Sequence, residues 1–240
     1  MPPSETTRQL QARQERTESE RLDNFVDGAF AFAVTLLVIS GSSFPHDIDS
    51  LLVAIGGVPA FAACFAQLAV FWYGHVRWRE KAQTSDRTSL LLSLLLVFFA
   101  LIFVYPLHMV FASFFHSISG GALPMDFVFD HSSMHDMKAL FVIYGLAYTC
   151  MAGTLALLFR HGMRHAVALA PAGRVKAGVH MLAWAYGAAI GLLSAAIALA
   201  VPANGSDWMI SLAGFSYVLL GGMGPLLGRY RVHLQARLAT

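Results

Sequence analysis

Charge is scarce in this chain. Asp, Glu, Lys and Arg make up 12% of its 240 residues, about half the share of a soluble domain. Cysteine is scarcer: Cys64 and Cys150 are the only two. Both fall inside apolar stretches and read as small packing residues, not as a disulfide or a reactive thiol. The first 20 residues are polar and charged, without a short apolar core before a cleavage site, so they do not read as a cleaved signal peptide. No soluble domain, glycine-rich nucleotide loop or tandem repeat of the first apolar run can be read either.

What is present is hydrophobic sequence, 57% of the chain with a mean hydropathy of +0.60. It gathers into six runs near Asn24–Gly41, Leu51–Tyr73, Ser89–Ala112, Lys138–Phe159, Ala177–Val201 and Trp208–Gly228. Each has about the 17–25 residues that an α-helix needs to cross the hydrocarbon core. They are too continuous for barrel strands, which alternate polar and apolar positions. Pro59, Pro106 and Pro225 fall inside or near the ends of runs, where neighbours can satisfy a freed carbonyl. The expectation is an all-α integral membrane protein of six transmembrane helices. Residues 1–23 form an N-terminal tail, 24–228 the membrane domain and 229–240 a C-terminal tail.

Fifteen of the sixteen Lys and Arg residues sit in the tails and in the segments after runs two and four. The alternate loops hold Asp47, Asp49, Asp126, Asp130, Asp136 and Asp207, with Lys138 alone at an edge. Because basic loops stay on the cytoplasmic side, both termini are expected there, in a multi-pass protein of the cell membrane.

The first run carries the most information. Asp27 lies inside the start of an apolar helix, where a carboxylate is costly and needs a partner. It can equally be a helix-start carboxylate favoured by the macrodipole. Arg21 lies one and a half turns earlier, and run two returns to the same side at His75. A network of Arg21, Asp27 and His75 is therefore geometrically open. At about 100° per residue, Leu36 and Ile39 fall within roughly 40° of Phe32 and form one apolar stripe, with Asp27 about 140° away. On spacing alone such a stripe reads as ordinary helix packing.

The run reads Arg21, Phe25, Asp27, Gly28 and then Thr35-Leu36-Leu37-Val38. This resembles bacterial members of the transmembrane protein 175 family of potassium channels. Their first span opens Arg-x-x-x-Phe-Ser-Asp, then Gly, and ends Thr-Leu-Leu-Val. Phe71-Trp72-Tyr73-Gly74-His75 is similar to the family's Trp-x-Asn-His segment, and Asp86 with the Leu-rich run into Pro106 is similar to its third span. The likeness covers about the first 110 residues. Val26 stands in place of the family's serine, Gly74 in place of asparagine, and Phe32 where Ile or Leu is usual.

The resemblance implies four chains around one pore lined by the first span. It implies passage of potassium and other monovalent cations, and selection at a hydrophobic constriction of Phe32, Leu36 and Ile39 in place of a carbonyl filter. No Thr-Val-Gly-Tyr-Gly-like loop occurs here. It also implies that Arg21, Phe25, Asp27 and His75 form a structural motif, that no cofactor is needed, and that the partners are the lipid bilayer and further copies of the chain, not nucleic acid.

An ion- or proton-coupled transporter using Asp27 and His75 is the alternative, although it predicts internal repeats. A membrane enzyme or metal protein is disfavoured by the scattered depths of the histidines. His131 and His135, like His161 and His165, have a metal-compatible spacing of four, but they read as loop and interfacial residues. His108 and His180 lie near opposite membrane faces. Gly187 and Gly191 read as close-packing positions, and no metal site is expected.

Overall fold

The computed structural model describes residues 5–40, 45–82, 86–125, 133–165, 171–202, 204–224, 227–228, 230 and 232. Among these, seven α-helices follow one another: α1 Glu5–Ser40, α2 Ile48–Gly56, α3 Val58–Ala82, α4 Arg87–Ile118, α5 Ser133–His165, α6 Pro171–Ala200 and α7 Asp207–Phe215. A 3₁₀ segment, Ser216–Gly222, continues from α7. No strand occurs among the described residues. Asp126, Asp130, His131 and almost all of the expected 229–240 tail lie outside them.

α1 begins well before the first apolar run. Its polar arm is rich in Arg, Gln and Glu and free of Gly and Pro, a composition of good helix formers. The helix therefore passes without a break through the boundary expected at residues 23 and 24. The second run is bent by 45° between α2 and α3. Pro59 has no N–H to offer the Ile55 carbonyl and its ring crowds the turn behind it. Gly57 instead closes α2 with its N–H on the Ala54 carbonyl, 3.1 Å away. Asp47 starts α2 in a capping box with Ser50.

Four described helices are long and apolar enough to cross a membrane, or five if α2 and α3 count as one span. The final apolar stretch, Trp208–Gly222, is shorter. There the Ser216 hydroxyl bonds back to the Ala213 carbonyl at 2.7 Å, and the helix tightens into 3₁₀ geometry over Ser216–Gly222.

The core lies among α1, α3, α4 and α5, around Phe71, Trp78, Phe103, Leu107, Met151 and Leu155. Pro106 is buried within α4 without ending it. α5 lies along α6. A Cβ on Gly145 would stand 2.7 Å from the Gly191 carbonyl oxygen, and one on Gly191 2.5 Å from Thr149 Oγ1. The Thr149 hydroxyl donates to the carbonyls of Gly145 and Ala188, at 2.7 and 3.1 Å. The tight approach thus falls at Gly145 and Gly191, whereas a Cβ on Gly187 would meet only ordinary contacts at 3.7 Å. Large apolar side chains such as Leu91, Leu199 and Val218 stand exposed, as a surface in contact with acyl chains allows.

Candidate functional site: the first helix and its tethers

The two faces of α1 differ. Val26, Phe30, Ala33 and Leu37 are buried in the core shared with α3 and α4. Their steps of three or four residues keep one side of a 3.6-residue helix in contact. The opposite side is bare within the chain. Phe25 and Phe32 are each 55% exposed and Ile39 is 59% exposed, with Gly28 and Thr35 exposed between them. Leu36 lies at the flank of this stripe, half-buried. The Thr35 hydroxyl donates to the Ala31 carbonyl at 3.1 Å, which turns its polar atom onto the helix's own backbone.

Polar side chains fasten the edge of α1 to α3. Arg79 Nε donates to Asp23 Oδ1 at 2.7 Å, and Arg79 Nη2 donates to Ser19 Oγ. One turn further along α1, Trp72 Nε1 donates to Asp27 Oδ1 at 2.8 Å. As the α1 partner advances from 23 to 27, the α3 partner falls from 79 to 72, so the helices run antiparallel. His75 lies between these levels but turns away from α1. It is buried, with Nε2 3.0 Å from Ser93 Oγ of α4 and its ring 5.3 Å from Trp78.

Asp27 and His75 are thus near in depth but bonded to different partners. Arg21 is exposed and walls a groove with Glu18, Phe25 and Asp86. Three residues to which the sequence assigned no such role do the fastening: Asp23, Arg79 and Trp72. The legible signals were Asp23, one turn before Asp27, and Trp72, within the Trp-x-Asn-His-like segment.

A second tether joins α4 to α5. Asp86 caps α4, accepting from the Ser89 hydroxyl at 2.6 Å and the Ser89 N–H at 3.3 Å. Its other oxygen lies 2.8 Å from His161 Nε2. Burial pushes the Asp86 carboxyl up, but the Ser89 hydrogen bond and the facing His161 outweigh it and hold the group below its ordinary value. His165 is helical without a described side chain, and exposed His135 has its expected partner His131 outside the described residues. His108 is buried and His180 stacks on Phe159 at 5.2 Å. No group of three or more His, Cys, Asp or Glu among the described residues is arranged around a metal. Cys64 and Cys150 are free thiols.

Residues 21–106, from Arg21 to Pro106, match the sequence profile of the family described as endosomal/lysosomal potassium channel TMEM175. Over these residues the chain is similar to the TMEM175 family. A potassium channel of Marivirga tractuosa is 36% identical over 133 residues, 54% of this chain and 53% of that protein. The match thus spans about half the length of that curated relative. The potassium channel MtTMEM175, solved as a variant in complex with a nanobody–MBP fusion, superposes with a TM-score of 0.72 at 28% identity, covering 87% of this chain and 91% of that one. A lysosomal potassium-selective channel TMEM175 homolog from Chamaesiphon minutus shares the fold, with a TM-score of 0.59 at 20% identity over 88% of this chain and 98% of that one. TMEM175 is a family of channels, not of enzymes. Its profile takes in the second half of α1, the bent α2–α3 pair and the first part of α4, and with them the Asp23–Arg79 and Asp27–Trp72 bonds.

Proposed function

We propose that four copies of this chain surround a central pore lined by α1 and conduct potassium and other monovalent cations. The observation that carries this reading is the bare apolar stripe of α1. Phe32 and Ile39 stand more than half exposed within the chain although they belong to a helix long and apolar enough to cross a membrane. A single chain offers one such stripe, and a closed ring of copies provides the partners and the symmetry axis. Phe32, Leu36 and Ile39 then form successive apolar rings, a constriction that gates by dewetting and selects without a carbonyl filter.

In this assembly the membrane domain is residues 24–228, with Trp208–Gly228 as the sixth span. The tails 1–23 and 229–240 face the cytoplasm. A cysteine placed at position 46 of the cell-membrane protein would react with an outside label and one at position 164 would not.

Asp27 ties α1 to α3 through Trp72 and His75 ties α3 to α4 through Ser93; with Arg21 and Phe25 they form a structural motif that does not select ions. Asp27→Ala leaves Trp72 Nε1 without its acceptor. The expected outcome is loss of assembled protein on size-exclusion chromatography with the permeability ratio of the remainder unchanged. A transporter using Asp27 and His75 as one proton site has less support, since the two side chains bond to separate helices. The deciding experiment is recording from purified protein in a planar bilayer: unitary potassium currents establish a channel, whereas saturating gradient-driven flux without them sinks the proposal.

A further inference from the structure

A second groove, of about 340 Å³, lies between α3 and α6. Ala69, Val70 and Tyr73 form one wall and Trp184 the other, with Gly74 between them and Arg77 and His180 at one end. Gly74 decides its shape. A Cβ there would stand 2.4 Å from Trp184 Cζ2 and 3.0 Å from Leu155 Cδ1. Only glycine lets the indole lie this close to α3, and the related segment in the family has asparagine at this place. Trp184 is held from behind by stacking on Phe71, 5.4 Å between centroids and 27° between planes. The wall is therefore fixed.

The groove is graded along its length. Ala69 and Val70 lie deep in the span that ends at Glu80. Arg77 is within a turn of that end, and His180 is within two turns of Val175, where the α6 span starts. Both thus sit at the same membrane boundary. From Ala69 to Arg77 the rise is about 12 Å, close to the roughly 15 Å of one leaflet's hydrocarbon layer. Tyr73 and Trp184 lie between, the residue types that accept an apolar neighbour on the ring and a polar one at the edge. Arg77 packs over the Tyr73 ring at 5.6 Å and donates from Nη1 to Glu80 Oε2 at 3.2 Å. A guanidinium carries five donors, so one bond to Glu80 leaves a fork for another oxyanion. Exposed Lys176, one turn before His180 on α6, adds positive charge at this end.

We propose that this groove seats one membrane phospholipid with an anionic headgroup, its acyl chain along Ala69, Val70 and Gly74 and its phosphate at Arg77. The graded lining argues for a lipid over a soluble anion: an anion uses only the Arg77 end, whereas the apolar wall needs a chain. The site is independent of conduction through α1.

The test is tryptophan quenching of the full-length protein in nanodiscs. These contain small, equal mole fractions of phosphatidylglycerol or phosphatidylcholine with dibrominated acyl chains. Subtracting Trp184→Phe isolates the Trp184 emission. The expected result is half-quenching at about a tenfold lower fraction of the anionic lipid, equivalent to about 1.4 kcal/mol. Arg77→Gln should bring the two lipids together, and Glu80→Gln, which removes the competing carboxylate, should widen the gap. Equal quenching by both lipids in the parent overturns the proposal, as a neighbouring copy covering the groove would produce. A preference that survives Arg77→Gln also overturns it. If Arg77→Gln does not fold, a gap unchanged in Glu80→Gln does the same.

Discussion

Residues 21–106 and the helices after them hold their neighbours by different means. In the first region charged and hydrogen-bonding side chains make the junctions: Asp23 with Arg79, Asp27 with Trp72, His75 with Ser93. In the second, α5 and α6 approach until a missing Cβ matters, at Gly145 and Gly191, and the hydroxyls of Thr149 and Ser194 reach backbone carbonyls of the neighbouring helix. Lipid gives helices little apolar reason to associate, so both devices are expected in membranes, but they act differently. Polar bonds fix the rotation of α1 about its axis and so fix which stripe stays bare. Small residues fix only a distance. The region that must present one particular face is the region tied by directional bonds.

The sharpest way to break this contrast is to cut the α1–α3 tie. The Arg79 side chain is only 9% exposed, so Asp23→Ala takes the Asp23 carboxylate from a nearly buried cation that keeps Ser19 Oγ and the Trp78 ring beside it, a loss of about 3–5 kcal/mol. The lower end is expected, because Asp23 itself reaches solvent. Equilibrium unfolding in mixed micelles measures it, and a double-mutant cycle with Arg79→Gln should show strong coupling. No coupling would mean that α1 is held by its apolar face alone.

Next in size is Gly145→Ala. The added methyl meets backbone at 2.7 and 3.0 Å, the Gly191 carbonyl and the Ala195 amide, which cannot rotate away. Overpacking of this kind costs about 1–3 kcal/mol. Thermal unfolding should show it without any change in ion selectivity, while Gly187→Ala stays near the parent.

Phe32→Ala tests the bare stripe itself. Removing the ring should raise potassium flux about tenfold, a barrier lower by about 1.4 kcal/mol, with weaker discrimination against sodium. Phe32→Leu should fall between it and the parent in liposome flux. If both match the parent, the constriction is elsewhere.

The smallest effect is expected where the two regions meet. Asp86→Ala removes the α4 cap, a loss of about 1 kcal/mol. Because the folded Asp86 carboxyl is held below its ordinary value of 3.8, its contribution is fully present above that pH. It is lost as the pH falls through the lower folded value. Unfolding scans of parent and variant should converge in that acid window.

Much of this architecture was legible in the chain. The first five apolar runs located long helices because bilayer thickness sets their length, and Pro59 marked where the second run bends, whereas the sixth holds only the short α7 and its 3₁₀ continuation. The matching depth of Asp27 and His75 was legible too, since antiparallel helices place residues at heights that can be counted. What could not be counted was rotation: His75 faces Ser93 because α4 packs on that side of α3, and no spacing within α3 records it. The reach of α1 back to Glu5 was missed for a related reason. The apolar pattern sets where lipid begins, whereas helix propensity in the polar arm sets where the helix begins. Gly145 escaped notice because a lone glycine in an apolar run has no signature until its facing residue is known.

One dimension of α1 has mechanical meaning. At 36 residues it is about 54 Å long, longer than the roughly 40–45 Å of a whole bilayer with its headgroups. Its only glycine, Gly28, lies inside the apolar part, and no proline interrupts it. A shaft without a joint transmits torque, so the Asp23–Arg79 and Asp27–Trp72 bonds, which grip it between the polar arm and Phe32, are its brakes. A twist of the arm has to break them before the Phe32 face can turn.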